Sequence, residues 1–287
     1  IVANTTEPSP AILNAGTWVG LGIQPSVAVA VTGNFDGAVI DLVGASNVGI
    51  NGNNLLTISN TNNAGLNPSV IRFSNDASNN QVLGCTLLGS TTAGVTGVIT
   101  FSNGIATGND NNTISNNTIG AAGANLPRCG ILSQGTLGFD NSGNTISNNS
   151  ISDFFSATFI SNGINLVANN TDWIITGNKL FQTATRLYTT ANTHNGILII
   201  GGNNYTINNN VIGYAAANAT GTYSMTGTIA TRFVGINVST GTVTASTIQG
   251  NTVTAISLNT SSGATTTNGI LCGINVTAGN VNIVSNI

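Results

Sequence analysis

The sequence predicts an all-β fold, a single-stranded right-handed parallel β-helix of about eight coils with three short strands per coil and an asparagine ladder at one corner. Three observations predict it: a recurring hexad, a second apolar column in step with that hexad, and turn-forming residues at one fixed hexad position. The hexad reads apolar-x-x-Asn-x-apolar. It starts at Ile50, Val82, Ile114, Ile146, Ile175, Ile207, Ile248 and Ile283, so successive starts lie 32, 32, 32, 29, 32, 41 and 35 residues apart. A fixed period of this size is the signature of a solenoid. The second column, Gly-Ile or a variant of it, falls at Val39, Val70, Val98, Ile131, Ile164, Ile197, Ile236 and Ile274.

Each strand follows from this pattern. Side chains five residues apart on a straight strand point to opposite faces, so the two apolar ends of the hexad are both buried only if the chain bends between them. The third hexad position shows the bend: Gly52, Gly84, Asn116, Asn148, Gly177, Asn209, Gly250 and Ser285. Glycine and asparagine enter left-handed backbone geometry at least cost. The fourth position, Asn53, Asn117, Asn149, Asn178, Asn210, Asn251 and Asn286, with Cys85 in the remaining place, then stacks coil upon coil at about 4.8 Å. The two arms of the hexad and the Gly-Ile segment supply the three strands. Parallel crossovers within one sheet set the hand.

Composition agrees and excludes other classes. Only 5% of the 287 residues are charged, against about 25% in typical soluble domains. Five basic residues leave no positive stripe for a phosphate backbone, so nucleic acid is not an expected partner. The chain carries 46 asparagines and 36 glycines, which disfavour helix interiors, yet 40% of it is hydrophobic, enough to build a core. No apolar run is long enough to span a bilayer, so no membrane insertion is expected. Residues 1–36, with Pro8, Pro10 and Pro25, read as an N-terminal cap or linker, and residues 37–287 as the β-helix. The chain starts at Ile1 without an initiator methionine and a further hexad begins at Ile283, so it is expected to be a segment of a longer protein whose open strand edges self-associate or continue end to end.

Four segments carry a resemblance: GAVIDLVGASNVGINGNN (37–54), IRFSNDASNNQVLGCTLLG (71–89), GNDNNTISNNTIG (108–120) and NSGNTISNNSISDFFSATFISNGI (141–164). They resemble the β-helical repeat regions of very large secreted surface proteins of Bacteroidota, often exported by the type IX system. The resemblance implies an extracellular or cell-surface location and an adhesin-like or structural role. No segment here resembles that family's C-terminal sorting domain, as expected of a piece of a longer protein.

Polysaccharide-degrading β-helices need carboxylates, or carboxylates with Arg or Lys, converging on one face. Only Asn170-Thr171-Asp172 resembles a polygalacturonase-type motif, its companions are missing, and the sole histidine, His194, falls in Thr-His-Asn-Gly, which reads as a loop. No catalytic, cofactor-binding or metal residue is assigned and no cofactor is expected. Asp76, Asp110, Asp140 and Asp172 precede successive hexads and could share one corner; Ca²⁺ between coils is one reading, and capping by each Asp of its own turn is the favoured one. Cys129 and Cys272 share one column four coils apart, too far to pair, so these and Cys85 are expected to be buried thiols. Trp173 and Tyr205 precede neighbouring hexads and read as a structural ring ladder in preference to a sugar platform.

Thr242/Thr244 and Thr252/Thr254 raise ice binding, but these pairs do not share one column. Asn-x-Ser/Thr triplets occur about as often as composition dictates and do not indicate glycosylation. The span from hexad start to the next Gly-Ile varies from 16 to 29 residues, whereas the return varies from 9 to 16, so one corner carries the insertions. Its largest loops, 214–232 and 255–272, are the expected ligand-contacting elements, for a glycan or another surface ligand. The function these features imply is that of an extracellular structural or adhesive β-helix forming a stalk, surface fibre or filament without catalysis; the alternative is a polysaccharide-binding or polysaccharide-degrading β-helix.

Overall fold

In the computed structural model, which describes residues 1–16, 18–261 and 269–287, the bend inside the hexad is made by the residues that the sequence marks for it. Gly84, Asn116, Asn148, Gly177, Asn209, Gly250 and Ser285 all have φ between 51° and 66°. Asn116, Asn148, Gly177, Asn209 and Gly250 each join a strand of three or four residues to the next, as Thr113–Ser115 to Thr118–Ala121 and Thr145–Ser147 to Ser150–Ser152, whereas Gly84 lies within the strand Gln81–Gly89 and Ser285 follows Val281–Val284. The first arms stack as sheet I and the second arms as sheet II, and the two merge through the long strands Val48–Asn60 and Gln81–Gly89. Nine Gly-Ile strands, from Ala11–Asn14 to Leu271–Ala278, form sheet III. Every strand pair is parallel and joins one coil to the next, and no helix occurs among the described residues. The chain is a parallel β-helix.

The core consists of three aliphatic stacks, one per sheet. Ile114, Ile146, Ile175 and Ile207 form the first, Ile119, Ile151, Leu180 and Ile212 the second, and Ile131, Ile164, Ile197 and Ile236 the third, all fully buried. At the third stack the preceding glycine is a steric requirement. A Cβ on Gly163 would lie 2.7 Å from Gly196 O, and one on Gly196 would lie 2.5 Å from Gly235 O, so the backbones of adjacent coils touch there.

The asparagine column forms a continuous ladder from Asn117 through Asn149, Asn178, Asn210 and Asn251 to Asn286. Asn117 Oδ1 accepts the N–H of Cys85 (2.9 Å) and its Nδ2 donates to Val82 O (2.9 Å), so each amide also saturates the corner of the coil before it.

Three details differ from the sequence reading. Asn53 is not in the ladder: strand Val48–Asn60 carries extra residues at the corner, the register steps from Asn51/Leu83 to Leu56/Cys85, and Asn53 and Leu55 face solvent. Leu56 and Ile58 take the buried places. In the register of sheet III, Ile40, Ile71 and Ile99 align with Ile131 and Ile164, one residue beyond Val39, Val70 and Val98, which are buried as well. Residues 1–36, expected as a cap or linker, are themselves wound into the spiral: Thr5–Glu7, Ala11–Asn14, Leu21–Ile23 and Val29–Gly33 pair in register with the coil that follows, and Leu13, Trp18 and Leu21 pack on its core.

Two further ladders were not anticipated. Asn80, Asn112 and Asn144 are linked amide to amide at 2.9 and 3.0 Å where sheet I begins. Asn109 donates to Asn141 at 2.9 Å, and Ser133 Oγ bridges Asn141 to Asn170.

Candidate functional site

Six carboxylates, those of Asp36, Asp41, Asp76, Asp110, Asp153 and Asp172, bond a neighbouring coil; among the described residues Asp140 and Glu7 do not. Asp76 Oδ1 accepts four backbone N–H groups of the next coil, from Ile105, Ala106, Thr107 and Gly108, at 2.9 to 3.2 Å. Partial burial pushes this carboxyl up, but the four donors outweigh it and hold its pKa below the ordinary value. Asp110 Oδ1 accepts the N–H (2.7 Å) and hydroxyl (3.0 Å) of Ser142; burial nevertheless raises its pKa, with smaller contributions from the charges of Asp76 and Asp140. Asp172 Oδ1 accepts Asn204 Nδ2 at 2.5 Å. Each of these three therefore caps the neighbouring coil and not its own turn, contrary to the favoured sequence reading.

The four aspartates also do not form one column. Asn141 pairs with Asn170 and Ser142 with Thr171, which sets Asp140 and Asp172 at different places around the corner. No group of three or more His, Cys, Asp or Glu able to hold a metal occurs among the described residues. In the Asn170-Thr171-Asp172 tripeptide, Asn170 is fully buried in a ladder and Asp172 sits at φ 60° on the surface. Two ion pairs complete the pattern, Arg72 with Asp41 across sheet III and Arg186 with Asp153 at the insertion corner.

His194 lies inside the rod and not on a loop. It opens the strand Thr193–Ile200, is fully buried, stacks on Phe154 (5.2 Å, 3°) and is flanked by Tyr188, Tyr223 and Phe233. Its Nε2 bonds Tyr223 Oη, which also accepts Gln182 Nε2 (3.3 Å); Gln182 Oε1 accepts Arg186 Nε (2.6 Å). Burial, with a smaller contribution from the Arg186 charge, pushes the imidazole pKa down to about 3, so it is neutral at pH 7.

The insertions build the wall around this histidine. Tyr223–Thr226 pairs with Arg186–Leu187 and Ile256–Leu258 in a small fourth sheet, and Tyr223 and Met225 are buried. The 214–232 loop is thus partly wall. Within 255–272, residues 262–268 lie outside the described residues. On the rest of this corner Leu66, Val95, Phe159 and Leu187 stand between 54% and 72% exposed, with the partly buried Leu126 on the coil between Val95 and Phe159; the return corner exposes Ile105, Leu137 and Val243. The Arg128 guanidinium lies 5.0 Å over the Phe159 ring and its Nε donates to Ile160 O at 2.7 Å.

Trp173 and Tyr205 are buried, with Trp173 Nε1 donating to Asn141 O (2.8 Å) and Tyr205 Oη to Asn170 O (2.6 Å). They continue the column of Asn144 inward and offer no platform to a sugar. Cys129 and Cys272 do share one column, through Asn162, Asn195 and Val234, and all three cysteines are free thiols. Burial raises Cys85 to about 11 and Cys129 to about 12. Thr242 and Thr244 are exposed outside the sheets. A threonine row does exist elsewhere: Thr113, Thr145, Thr206 and Thr247 lie in register on the outer face of sheet I, with Ile174 in the middle. The sequence reading missed it because the paired position two residues on varies from Ser to Gln.

The sequence matches no family model and no curated protein. Solved structures to which the chain is similar include PfbA, a surface adhesin of Streptococcus pneumoniae, at TM-score 0.45 and 11% identity, covering 98% of this chain and 82% of that one. A second structure of PfbA gives 0.46 and 12% over 98% and 90%. The alginate lyase from Paenibacillus sp. str. FPU-7 gives 0.34 and 15% over 95% and 86%.

Proposed function

We propose that the protein is an extracellular structural or adhesive β-helix that acts without catalysis and meets its ligand along the insertion corner. The observation that carries this reading is the division of labour between faces. Asp41, Asp76, Asp110, Asp153 and Asp172 are bound to other parts of the fold, and the histidine is sealed in the core, whereas the insertion corner exposes Leu66, Val95, Phe159 and Leu187 along the rod. Apolar side chains in a row on an otherwise polar surface mark contact surfaces. The resemblance of the repeats to those of secreted surface proteins supports the same setting.

Association along the axis belongs to the same proposal: Val253, Ile274, Ile283 and Ile287 line an apolar concavity of about 440 Å³ that suits the end of a second rod.

An activity screen on acidic and neutral glycans, paired with binding to host-surface glycans and proteins, tests the reading. The expected outcome is binding without turnover, weakened by Phe159→Ala and unaffected by Asp172→Asn. Glycan cleavage abolished by Asp172→Asn would overturn it.

A further inference from the structure

The outer face of sheet I is a ruled array. Thr113, Thr145, Thr206 and Thr247 occupy one row, with Ile174 keeping the β-branched shape between them. A second row two residues along each strand reads Ser115, Ser147, Thr176, Asn208 and Gln249, of which Ser115 is buried and accepts Asn116 Nδ2. Strands repeat every 4.8 Å or so and the two rows stand about 6.7 Å apart, so they mark out a rectangular net, with methyls and hydroxyls in the first row and uncharged polar groups in the second. From Thr113 to Thr247 the row spans four strand steps, about 19 Å.

Three features separate this face from the other two. From Gln81 to Asn282 neither of its rows holds a charged residue, whereas Lys179 interrupts the outer face of sheet II and the Arg72–Asp41 pair lies on sheet III. The Thr113, Thr145, Thr206 and Thr247 hydroxyls make no hydrogen bond among the described residues, so they remain free for solvent. The asparagine ladders lie directly beside this sheet, at Asn112 and Asn144 on one side and Asn117 and Asn149 on the other, and lock the coil spacing. Side-chain ladders are what keep a stacked sheet flat.

We propose that this face binds ice. A flat, uncharged net of immobilised hydroxyls and methyls suits an uncharged crystalline surface that offers hydrogen bonds at fixed intervals, and its two repeats are close to those of oxygen atoms on a prism face of ice. The methyls exclude disordered water between rows while the hydroxyls join the lattice. A glycan platform would need exposed aromatic rings, and neither row supplies one between Thr113 and Thr247. The assignment is independent of the adhesive reading, because it uses a different face.

The test is inhibition of ice recrystallisation by the purified chain, with partition into a growing ice phase. The wild type is expected to keep ice grains small and to enter the ice phase. Thr145→Lys with Thr206→Lys is expected to lose about tenfold of this activity, since each ammonium must be stripped of water to approach the lattice. Thr118→Lys on sheet II is expected to retain it. Melting curves establish that each variant folds; should the lysine pair unfold, Thr145→Tyr with Thr206→Tyr gives the same loss without charge. Wild-type protein that leaves ice growth unaltered, or that pellets with crystalline cellulose and not with ice, overturns the proposal, as does full activity in both double variants.

Discussion

Asn149 Oδ1 accepts two hydrogen bonds from Asn117, one from its backbone N–H and one from its Nδ2, both at 3.0 Å. One oxygen thus closes the corner of the coil before it, while Asn149 Nδ2 donates to Ile114 O (2.9 Å) and to Asn178 Oδ1 (3.0 Å). The carboxamide is a rivet between three coils.

Removing it leaves those partners buried and unpaired. Asn149→Ala is expected to destabilise the rod by about 3 kcal/mol in denaturant unfolding, since each orphaned buried group costs roughly 1–3 kcal/mol. Asn53→Gly, outside the ladder and exposed, is expected to stay within ~0.5 kcal/mol of wild type.

Gly196 is a second point of closest approach. A Cβ there would lie 2.5 Å from Gly235 O and 2.9 Å from Ile212 Cγ2, with backbone on one side and core on the other. Gly196→Ala is expected to lower stability by about 1–3 kcal/mol through overpacking, read as a lower thermal midpoint.

Acid sensitivity should come from His194. Its folded pKa, pushed down to about 3, lies below the ordinary 6.5, so the folded state binds fewer protons than the unfolded one. Stability is then full above pH 6.5 and falls as the pH drops from there towards 3. Thermal midpoints measured across this range should decline, and His194→Gln should flatten the decline above pH 5, where carboxylates contribute least. An unchanged slope would remove the histidine from the explanation.

Thiol labelling separates the three cysteines. The half-buried Cys272 is expected to react with an alkylating reagent in the native protein, while Cys85 and Cys129, buried and raised to about 11 and 12, wait for unfolding. Mass spectrometry of native and denatured samples checks the order.

The hexad made the corner legible because its chemistry is local: a left-handed residue followed by an amide, repeated at nearly constant period. Asn117 to Asn286 follow that rule without exception. Asn53 fits the pattern but not the geometry, since only pairing with the next coil reveals that extra residues displace it in favour of Leu56. The ladder at Asn80, Asn112 and Asn144 escaped notice because the same column continues as Trp173 and Tyr205, so its asparagine signal fades after three coils. The pocket of His194 was illegible for another reason. It is assembled from residues of differing insertions, 154, 182, 188 and 223, which share no period. The capping aspartates recur ahead of their hexads, but their partners lie a coil away, where spacing within one coil carries no information.

The merging of every strand with the one a coil away has a mechanical consequence. Force applied at one end is borne by the outermost winding alone, and that winding can peel before its neighbour is disturbed. Each release of about 32 residues would pay out roughly 110 Å of chain, so a tether built this way yields in regular steps and absorbs a sudden pull instead of snapping.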